Sequence, residues 1–216
     1  MIELWSEYLG KFISGAGVTI QLLLAASLLA MVIGLISALI QNWGPKTARW
    51  LVVTYIEVIR GTPAIAQLFI VYFGLAEFGL KLSAFPAASI ALGVFGGAYF
   101  SEIFRAALNA VEPGHTEAGS ALGMSRFSVL RTVVVPQAFF IALPPSITMV
   151  TEMMKATALA ALIAAPDLMY ATINASSDTY RSMEFLTLAG IIYLAMILPV
   201  TFASRRLERY AERYRN

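Results

Sequence analysis

Long uninterrupted apolar stretches alternate with short polar segments along the whole chain. The stretch from Val18 to Ile40 carries no charged residue, and a helix of that length crosses the ~30 Å hydrocarbon core of a bilayer. Similar stretches predict five membrane-spanning helices, at roughly 15–40, 51–75, 86–110, 133–164 and 185–204. Because the apolar runs are continuous, they do not fit the alternating strands of a β-barrel. We therefore predict an all-α integral membrane protein with one domain over residues 1–216.

The amino-acid composition supports a membrane protein and excludes several other kinds of protein and site. Apolar residues make up 59% of the chain and charged residues only 13%, about half the charged share of a soluble domain. The chain has no cysteine and one histidine, His115, which excludes disulfides and a multi-histidine metal site, and no cofactor is predicted. A net charge of +2 gives no support for nucleic-acid binding. Glu3 and Glu7 precede the first lysine, unlike a signal peptide, so we expect the first span to be retained.

Basic residues accumulate on one side of the predicted spans. Ten lie in one set of loops and in the tail: Lys46, Arg49, Arg105, Arg126, Arg131, Arg205, Arg206, Arg209, Arg213 and Arg215. Three lie on the other side: Lys11, Lys81 and Arg181. Because positive loops stay in the cytoplasm, we predict that the loop 111–132 and the C-terminus are cytoplasmic and that the N-terminus is outside. The basic tail is predicted to bind anionic lipid.

Small residues recur at every fourth position in two of the spans. The first stripe contains Ala26, Ala30, Gly34 and Ala38, and the second contains Ser89, Gly93, Gly97 and Ser101. Such stripes let helices approach closely in lipid, where association depends on packing. They predict internal contacts of the bundle, with a dimer contact as the alternative.

The cytoplasmic loop 111–132 has the pattern of two helices joined by a tight turn. Thr116 can cap a helix whose first turn contains Glu117, a favourable place for an anion. Gly123 suits a left-handed C-terminal cap, and Ser125 can cap a second helix that leads toward Pro136. An exposed helix between two spans predicts a partner on the cytoplasmic side, and a connector without a partner is the alternative.

This loop resembles the EAA signature of ABC importer permeases, which is Glu-Ala-Ala, three residues, Gly, nine residues, Ile, one residue and Leu-Pro. The matching positions are Glu117, Ala118, Gly119, Gly123, Val133, Val135 and Pro136. Glycine replaces alanine at 119, and valine replaces isoleucine and leucine at 133 and 135. Two other segments resemble the polar amino acid branch of the family: 57–63 followed by Gln67 and Leu68, and 99–105.

The resemblance implies a type I ABC importer permease fold in a bacterial inner membrane, with a coupling helix seated in an ATPase subunit. It implies two permease subunits, two ATPase subunits and an extracytoplasmic binding protein. Glu117, Ala118, Gly119 and Gly123 would then form the ATPase coupling site. The chain has no Gly-x-x-x-x-Gly-Lys-Ser/Thr run for phosphate, so we predict a transport subunit and not an enzyme.

Charged residues within the spans are functional candidates because they are costly in lipid. Glu57 with Arg60, and Glu102 with Arg105, are each three residues apart and can pair on one helix face. A cluster of these four charges would hold the second and third spans together. A gate that opens during transport is the alternative.

A second charged group, Glu152 and Lys155 with Thr157 nearby, lies well inside the fourth span. A zwitterion could place its carboxylate on Lys155 and its amino group on Glu152, while a self-neutralised structural pair is the alternative. Family members with a substrate site read Lys-Asp-Ser/Thr here. Lys155 and Thr157 match this pattern, so the resemblance places them with Glu152 in the substrate path, whereas this chain has Ala156 in place of the acid. That departure puts a strongly cationic substrate such as arginine in question. Amino acids, opines and ectoine-like solutes all carry the required charged ends.

The outer loop 166–184, with Asp167, Asp178, Arg181 and Glu184, is a candidate face for the binding protein. Pro136, Pro144 and Pro145 predict a kinked or broken fourth span.

The leading function is import of a polar amino acid or related zwitterion, driven by a separate ATPase. The alternative is a stand-alone secondary transporter, which usually shows an inverted repeat; no such repeat is evident.

Overall fold

The computed structural model describes the backbone of residues 2–215, together with the side chains of residues 8–202 and of Arg206. The lipid contact predicted for the basic tail otherwise lies outside the described side chains. Ten α-helices occur in the described backbone: α1 (Ile2–Trp43), α2 (Lys46–Arg60), α3 (Ala64–Phe69), α4 (Leu75–Glu77), α5 (Ala84–Asn109), α6 (Pro113–Ala121), α7 (Arg126–Val129), α8 (Val135–Ala156), α9 (Leu168–Thr179) and α10 (Ser182–Arg215). Two π-helical segments, Ile70–Gly74 and Leu130–Val134, and a 3₁₀ helix, Thr157–Ile163, connect some of them. The predicted all-α membrane fold is confirmed.

The centre of the bundle is the contact between α1 and α5. A Cβ atom added to Gly93 would lie 2.6 Å from Leu29 Cδ2, and one added to Gly97 would lie 2.7 Å from Ile33 Cγ2. Ala26, Ala30 and Ala38 are fully buried on the opposing helix. The small-residue stripes therefore pack inside the bundle, because only glycine and alanine leave room for two backbones this close.

These contacts also fix the relative direction of the two helices. Three of them advance along both helices together: Leu29 with Gly93, Ile33 with Gly97, and Gln41 with Ser101. The helices α1 and α5 are therefore parallel. We call the face where α1 and α5 begin the N-terminal face, and the face where they end the C-terminal face.

The segment between these parallel helices must bring the chain back across the bundle. It consists of α2 and of the run from Ala64 to Glu77, which meet at an angle of 109°. The Tyr55 hydroxyl on α2 donates a 2.7 Å hydrogen bond to the Val94 carbonyl on α5. The helix α3 also packs against α5, and its buried Leu68 belongs to the same apolar cluster as Ala87 and Ala88 near the start of α5. The bent pair is thus one broken crossing, and the fold has the five crossings that hydropathy predicts.

The fourth crossing is a continuous helical path from Arg126 to Ile163. Pro144 and Pro145 lie inside α8 without ending it, so the predicted kinked or broken span is not broken at these two prolines. The irregular geometry lies at the two ends instead, in the π-helical segment before Pro136 and in the 3₁₀ helix after Ala156. Proline and a π-helical turn are both recognised causes of a bend within a helix.

The last two helices close the N-terminal face and return to the C-terminal face. The predicted outer loop 166–184 is largely the helix α9, which was not predicted. It joins α1 and α10 in an apolar cluster whose buried members are Tyr8, Phe12, Leu168, Ala175 and Phe185. From this cluster α10 runs toward the C-terminal face, so the two ends of the described chain lie on opposite faces.

Candidate functional site

The polar connection 110–126 on the C-terminal face folds as a helix, a glycine turn and a second helix start. Gly123 has φ +77°, its N–H donates to the Ser120 carbonyl at 3.0 Å, and the Met124 N–H donates to the Gly119 carbonyl at 3.1 Å. This is the Schellman pattern, which requires a left-handed residue that glycine supplies at little cost. The predicted glycine cap is therefore present.

Of the two N-terminal helix caps predicted in this connection, one is present and one is absent. The Ser125 hydroxyl accepts a 3.2 Å hydrogen bond from the Ser128 N–H and caps α7, as predicted. Thr116 does not cap α6, because that helix begins three residues earlier, at Pro113. Proline is favoured at a first helical position, since its missing N–H would be unpaired there anyway.

The predicted coupling residues differ in exposure: Gly119 is buried, and the others are exposed. Glu117 and Ala118 are exposed, and they share this end of the molecule with Leu122 (83% exposed) and Phe127 (70% exposed). Gly119 is buried instead, and a Cβ there would lie 2.9 Å from Val129 Cγ2. Glycine at 119 thus lets α6 lie close against α7. We call the exposed residues Glu117, Ala118, Leu122 and Phe127 the inner-end surface; exposed apolar groups of this size are typical of contact sites.

The predicted four-charge cluster forms only in part. Glu102 and Arg105 make an ion pair of 2.6 Å, and Gln41 Nε2 donates to Glu102 Oε1 at 3.3 Å. Arg60 lies over the ring of Tyr99, 5.5 Å from its centroid. Glu57 forms no ion pair with any described residue, so its predicted pairing with Arg60 is absent. The arginine stacks across to α5 instead, where the electron-rich ring face attracts its charge.

The second charged group is an ion pair on the open side of α8. Lys155 Nζ lies 2.5 Å from Glu152 Oε1, with 52% of the lysine side chain and 57% of the glutamate side chain exposed. A pair so exposed within a membrane span needs water, a ligand or another subunit beside it. Opposite charges at this spacing match the two ends of a zwitterion.

Thr157 does not lie with this pair. It is fully buried, and its hydroxyl donates a 2.7 Å hydrogen bond to the Met154 carbonyl. The helix tightens to 3₁₀ geometry at this residue, which turns its side chain inward, away from the exposed face of Glu152 and Lys155. The predicted place of Thr157 in the substrate path therefore has no geometric support.

Asp167 is a residue whose placement sequence reasoning missed. It was assigned to an exposed docking face, but it is fully buried and caps α9 by accepting a 2.8 Å hydrogen bond from the Tyr170 N–H. Beside it, the Leu168 N–H donates to Thr19 Oγ1 at 3.1 Å and so ties α9 to α1. An aspartate directly before a helical stretch is an N-cap signal. Arg181 and Glu184, by contrast, form a partly exposed 2.8 Å ion pair on the N-terminal face.

Burial raises the pKa of Asp167 to about 6 from an ordinary value of 3.8, against the lowering effect of the Tyr170 N–H. Because one pKa unit corresponds to about 1.4 kcal/mol, keeping this carboxylate charged costs at most about 3 kcal/mol of folding free energy. The folded chain holds the proton more tightly than the unfolded chain between about pH 4 and pH 6. Stability from this group is therefore greatest at low pH and is lost as pH rises through 6.

We predict that Asp167→Asn raises the apparent midpoint of thermal unfolding at pH 7 by several degrees, since asparagine keeps the cap and removes the charge. The gain should be smaller at pH 4.5, where the folded wild-type Asp167 is protonated, and should vanish only below about pH 4, where the unfolded chain is protonated too. Asp178→Asn, on the exposed side of the same helix, is the matched control and should change neither midpoint. An Asp167→Asn variant that is no more stable than wild type at pH 7 would contradict this account of the buried charge.

Comparison with known proteins agrees with this geometry over nearly the whole chain. Residues 30–213 match the family described as the binding-protein-dependent transport system inner membrane component. The chain is 32% identical to the arginine transport system permease protein ArtQ of Bacillus subtilis, over 91% of this chain and 90% of that protein. It is 33% identical to the glutamine transport system permease protein GlnP of Escherichia coli, over 91% of each chain.

Solved structures show the same arrangement of helices. A crystal structure of an amino acid ABC transporter with histidines superposes with a TM-score of 0.89 at 36% identity, covering 95% of this chain and 96% of that chain. The MetNI methionine ABC transporter in an inward-facing conformation gives a TM-score of 0.76 at 18% identity, over 94% and 97% of the two chains, and shows the shared fold alone. The chain therefore belongs to the family of binding-protein-dependent transport system inner membrane components, the permeases of ABC importers.

Proposed function

We propose that this chain is the permease subunit that carries a polar amino acid or a related zwitterion inward across the bacterial cytoplasmic membrane. The observation that carries the proposal is the exposed pair of opposite charges, Glu152 and Lys155, 2.5 Å apart on a membrane span. An incoming amino acid can replace each partner of the pair with its own ammonium or carboxylate group. Relatives named as glutamine and arginine permeases support this class of substrate.

The exposure of the same pair supports the presence of a second permease subunit, either a copy of this chain or a homologue. In the single chain, both side chains are more than half exposed at membrane depth, where contact with lipid tails would cost several kcal/mol for each charge. A second permease placed against α8 would exclude lipid and enclose a polar path. The charged pair would then face the interior of the transporter.

ATP hydrolysis belongs to a separate ATPase subunit in this proposal. The inner-end surface offers it two exposed apolar side chains, Leu122 and Phe127, beside Glu117 and Ala118. The contact between Gly119 and Val129 makes α6 and α7 one unit, so force applied at α6 reaches α8 directly. A binding protein would deliver the solute at the opposite, N-terminal face.

We place the C-terminal face in the cytoplasm. The turn after α1 and the connection around α6 and α7 lie on this face with most of the basic loop residues, whereas Lys11, Lys81 and Arg181 belong to the N-terminal face. The excess of lysine and arginine on cytoplasmic loops supports this orientation, with the N-terminus outside.

Cysteine labelling tests the orientation, and the native chain has no cysteine to interfere. We predict that an impermeant thiol reagent added to intact cells labels Leu80→Cys and spares Ser120→Cys, since both positions are exposed but lie on opposite faces. Permeabilised cells serve as the control, in which both should react. Labelling of position 120 alone in intact cells would reverse the orientation and remove the ATPase from the inner-end surface.

Transport itself is tested with the chain reconstituted beside its ATPase and binding protein in vesicles that enclose ATP. We expect ATP-dependent uptake of radiolabelled glutamine or another polar amino acid. An ATPase subunit without its phosphate-binding lysine is the control and should give none. Uptake that persists without the ATPase and follows an ion gradient would indicate a secondary transporter instead.

A further inference from the structure

The break between α2 and α3 leaves backbone groups that lipid cannot satisfy. The chain turns through 109° between Arg60 and Ala64, and the last carbonyl groups of α2 have no partner N–H within the helix. Pro63 removes another donor at the same place. Inside a membrane such groups must find partners within the protein.

Two side chains provide these partners. The Thr62 hydroxyl donates to the Val58 carbonyl at 2.9 Å. Gln67 reaches back from α3, where its Nε2 lies 2.7 Å from the Ile59 carbonyl, 3.2 Å from the Thr62 carbonyl and 2.9 Å from Thr62 Oγ1. Gln67 is 7% exposed. Its carboxamide therefore bridges the two limbs of the broken helix.

The environment also fixes which way this carboxamide points. A flipped amide would place Oε1 against two carbonyl oxygens and a hydroxyl oxygen that already donates elsewhere, so the donor group must face the break. The correct orientation leaves Oε1 buried without a hydrogen-bond partner among the described residues. An unpaired buried acceptor is costly, and its presence here indicates that the donor contacts across the break outweigh that cost.

We propose that Gln67 is a positioning residue for transport, whose carboxamide sets the angle between α2 and α3. This rests on the proposed function, because α3 packs against the 3₁₀ helix that begins two residues after Lys155. A change in the angle would shift the wall beside the Glu152 and Lys155 pair. Gln67 does not touch the solute in this proposal; it holds the shape of the path.

The angle is measured with spin labels on the full chain in lipid nanodiscs, one on each limb, at Val53→Cys and Phe73→Cys. Both positions are exposed. We expect a narrow distance distribution in the otherwise wild-type chain and a shifted or broadened one with Gln67→Met, which keeps the side-chain length and removes both donors. Gln137→Met, a matched change on α8, should leave the distribution narrow.

A second variant tests the hydrogen bond itself. Gln67→Glu can donate across the break only when protonated, so its distance distribution should narrow at pH 5 and broaden at pH 9. The Gln67→Met distribution should not change with pH, and a purely space-filling role for residue 67 would give no pH dependence in either variant. Distances in Gln67→Met that equal those of the wild type would overturn the proposal.

Uptake by the reconstituted transporter links the angle to transport. We expect uptake to fall roughly tenfold in Gln67→Met, in the range expected for an unmade buried hydrogen bond. A shifted distance with unchanged uptake would overturn the transport part of the proposal. If wild-type vesicles transport no amino acid, the proposed function fails, while the distance measurement still decides what Gln67 does to the break.

Discussion

Glu117→Lys and Gly123→Asp should each leave the chain inserted in the membrane and abolish solute-stimulated ATP hydrolysis by the assembled transporter. Lysine at 117 reverses an exposed charge on the inner-end surface. Aspartate at 123 opposes a φ of +77°, and the resulting strain disrupts the Schellman turn that sets α6 against α7. The measurement is ATP turnover with and without loaded binding protein, together with co-purification of the ATPase.

Matched control variants can be made on the N-terminal face. Gly79 also has a positive φ, of 82°, with open space around its Cβ position, as at Gly123. Gly79→Asp introduces comparable strain on the N-terminal face, and Glu77→Lys reverses an exposed charge there. Both controls should keep stimulated hydrolysis. Normal stimulation in Glu117→Lys and Gly123→Asp would instead make the connection between α5 and α8 a passive linker.

Features that depend on local chemistry could be predicted from the sequence. Hydropathy over about 20 residues located all five crossings, since lipid imposes the same length on every spanning helix. The recurrence of small residues at every fourth position predicted close packing inside the bundle, which the structure places between α1 and α5. Gly123 and Ser125 were predicted as caps because each supplies a conformation or an acceptor that the backbone needs at that point.

Features that depend on tertiary contacts could not be predicted in this way. The inward rotation of Thr157 follows from 3₁₀ geometry after α8, and no residue type there signals it. Arg60 has Glu57 three residues before it in the sequence, yet it stacks on Tyr99 because α2 packs across α5. The sequence around Asp167 predicts a polar residue in an outer loop. In the fold, Thr19 and Gly15 of α1 pack against this segment and bury it.

Lys155→Met should lower solute uptake tenfold or more while assembly with the ATPase is preserved. Methionine keeps the length of the side chain and removes its charge, and the loss of a charge-assisted hydrogen bond costs about 1.5–3 kcal/mol. A folding defect is not expected, because the Lys155 side chain is half exposed and its replacement by methionine leaves no buried cavity. Lys46→Met, an exposed lysine at the start of α2, is the matched control and should transport normally.

The double variant Glu152→Gln with Lys155→Met decides between a solute site and internal neutralisation. If the pair only cancels its own charge, removing both charges eliminates the unpaired glutamate and should restore the uptake that Lys155→Met lost. If each charge binds one end of the solute, the double variant should transport no better than either single variant, because both contacts are then missing. Uptake measured over a range of solute concentrations in the three variants separates these outcomes, and restoration in the double variant would leave the pair as scaffolding within α8.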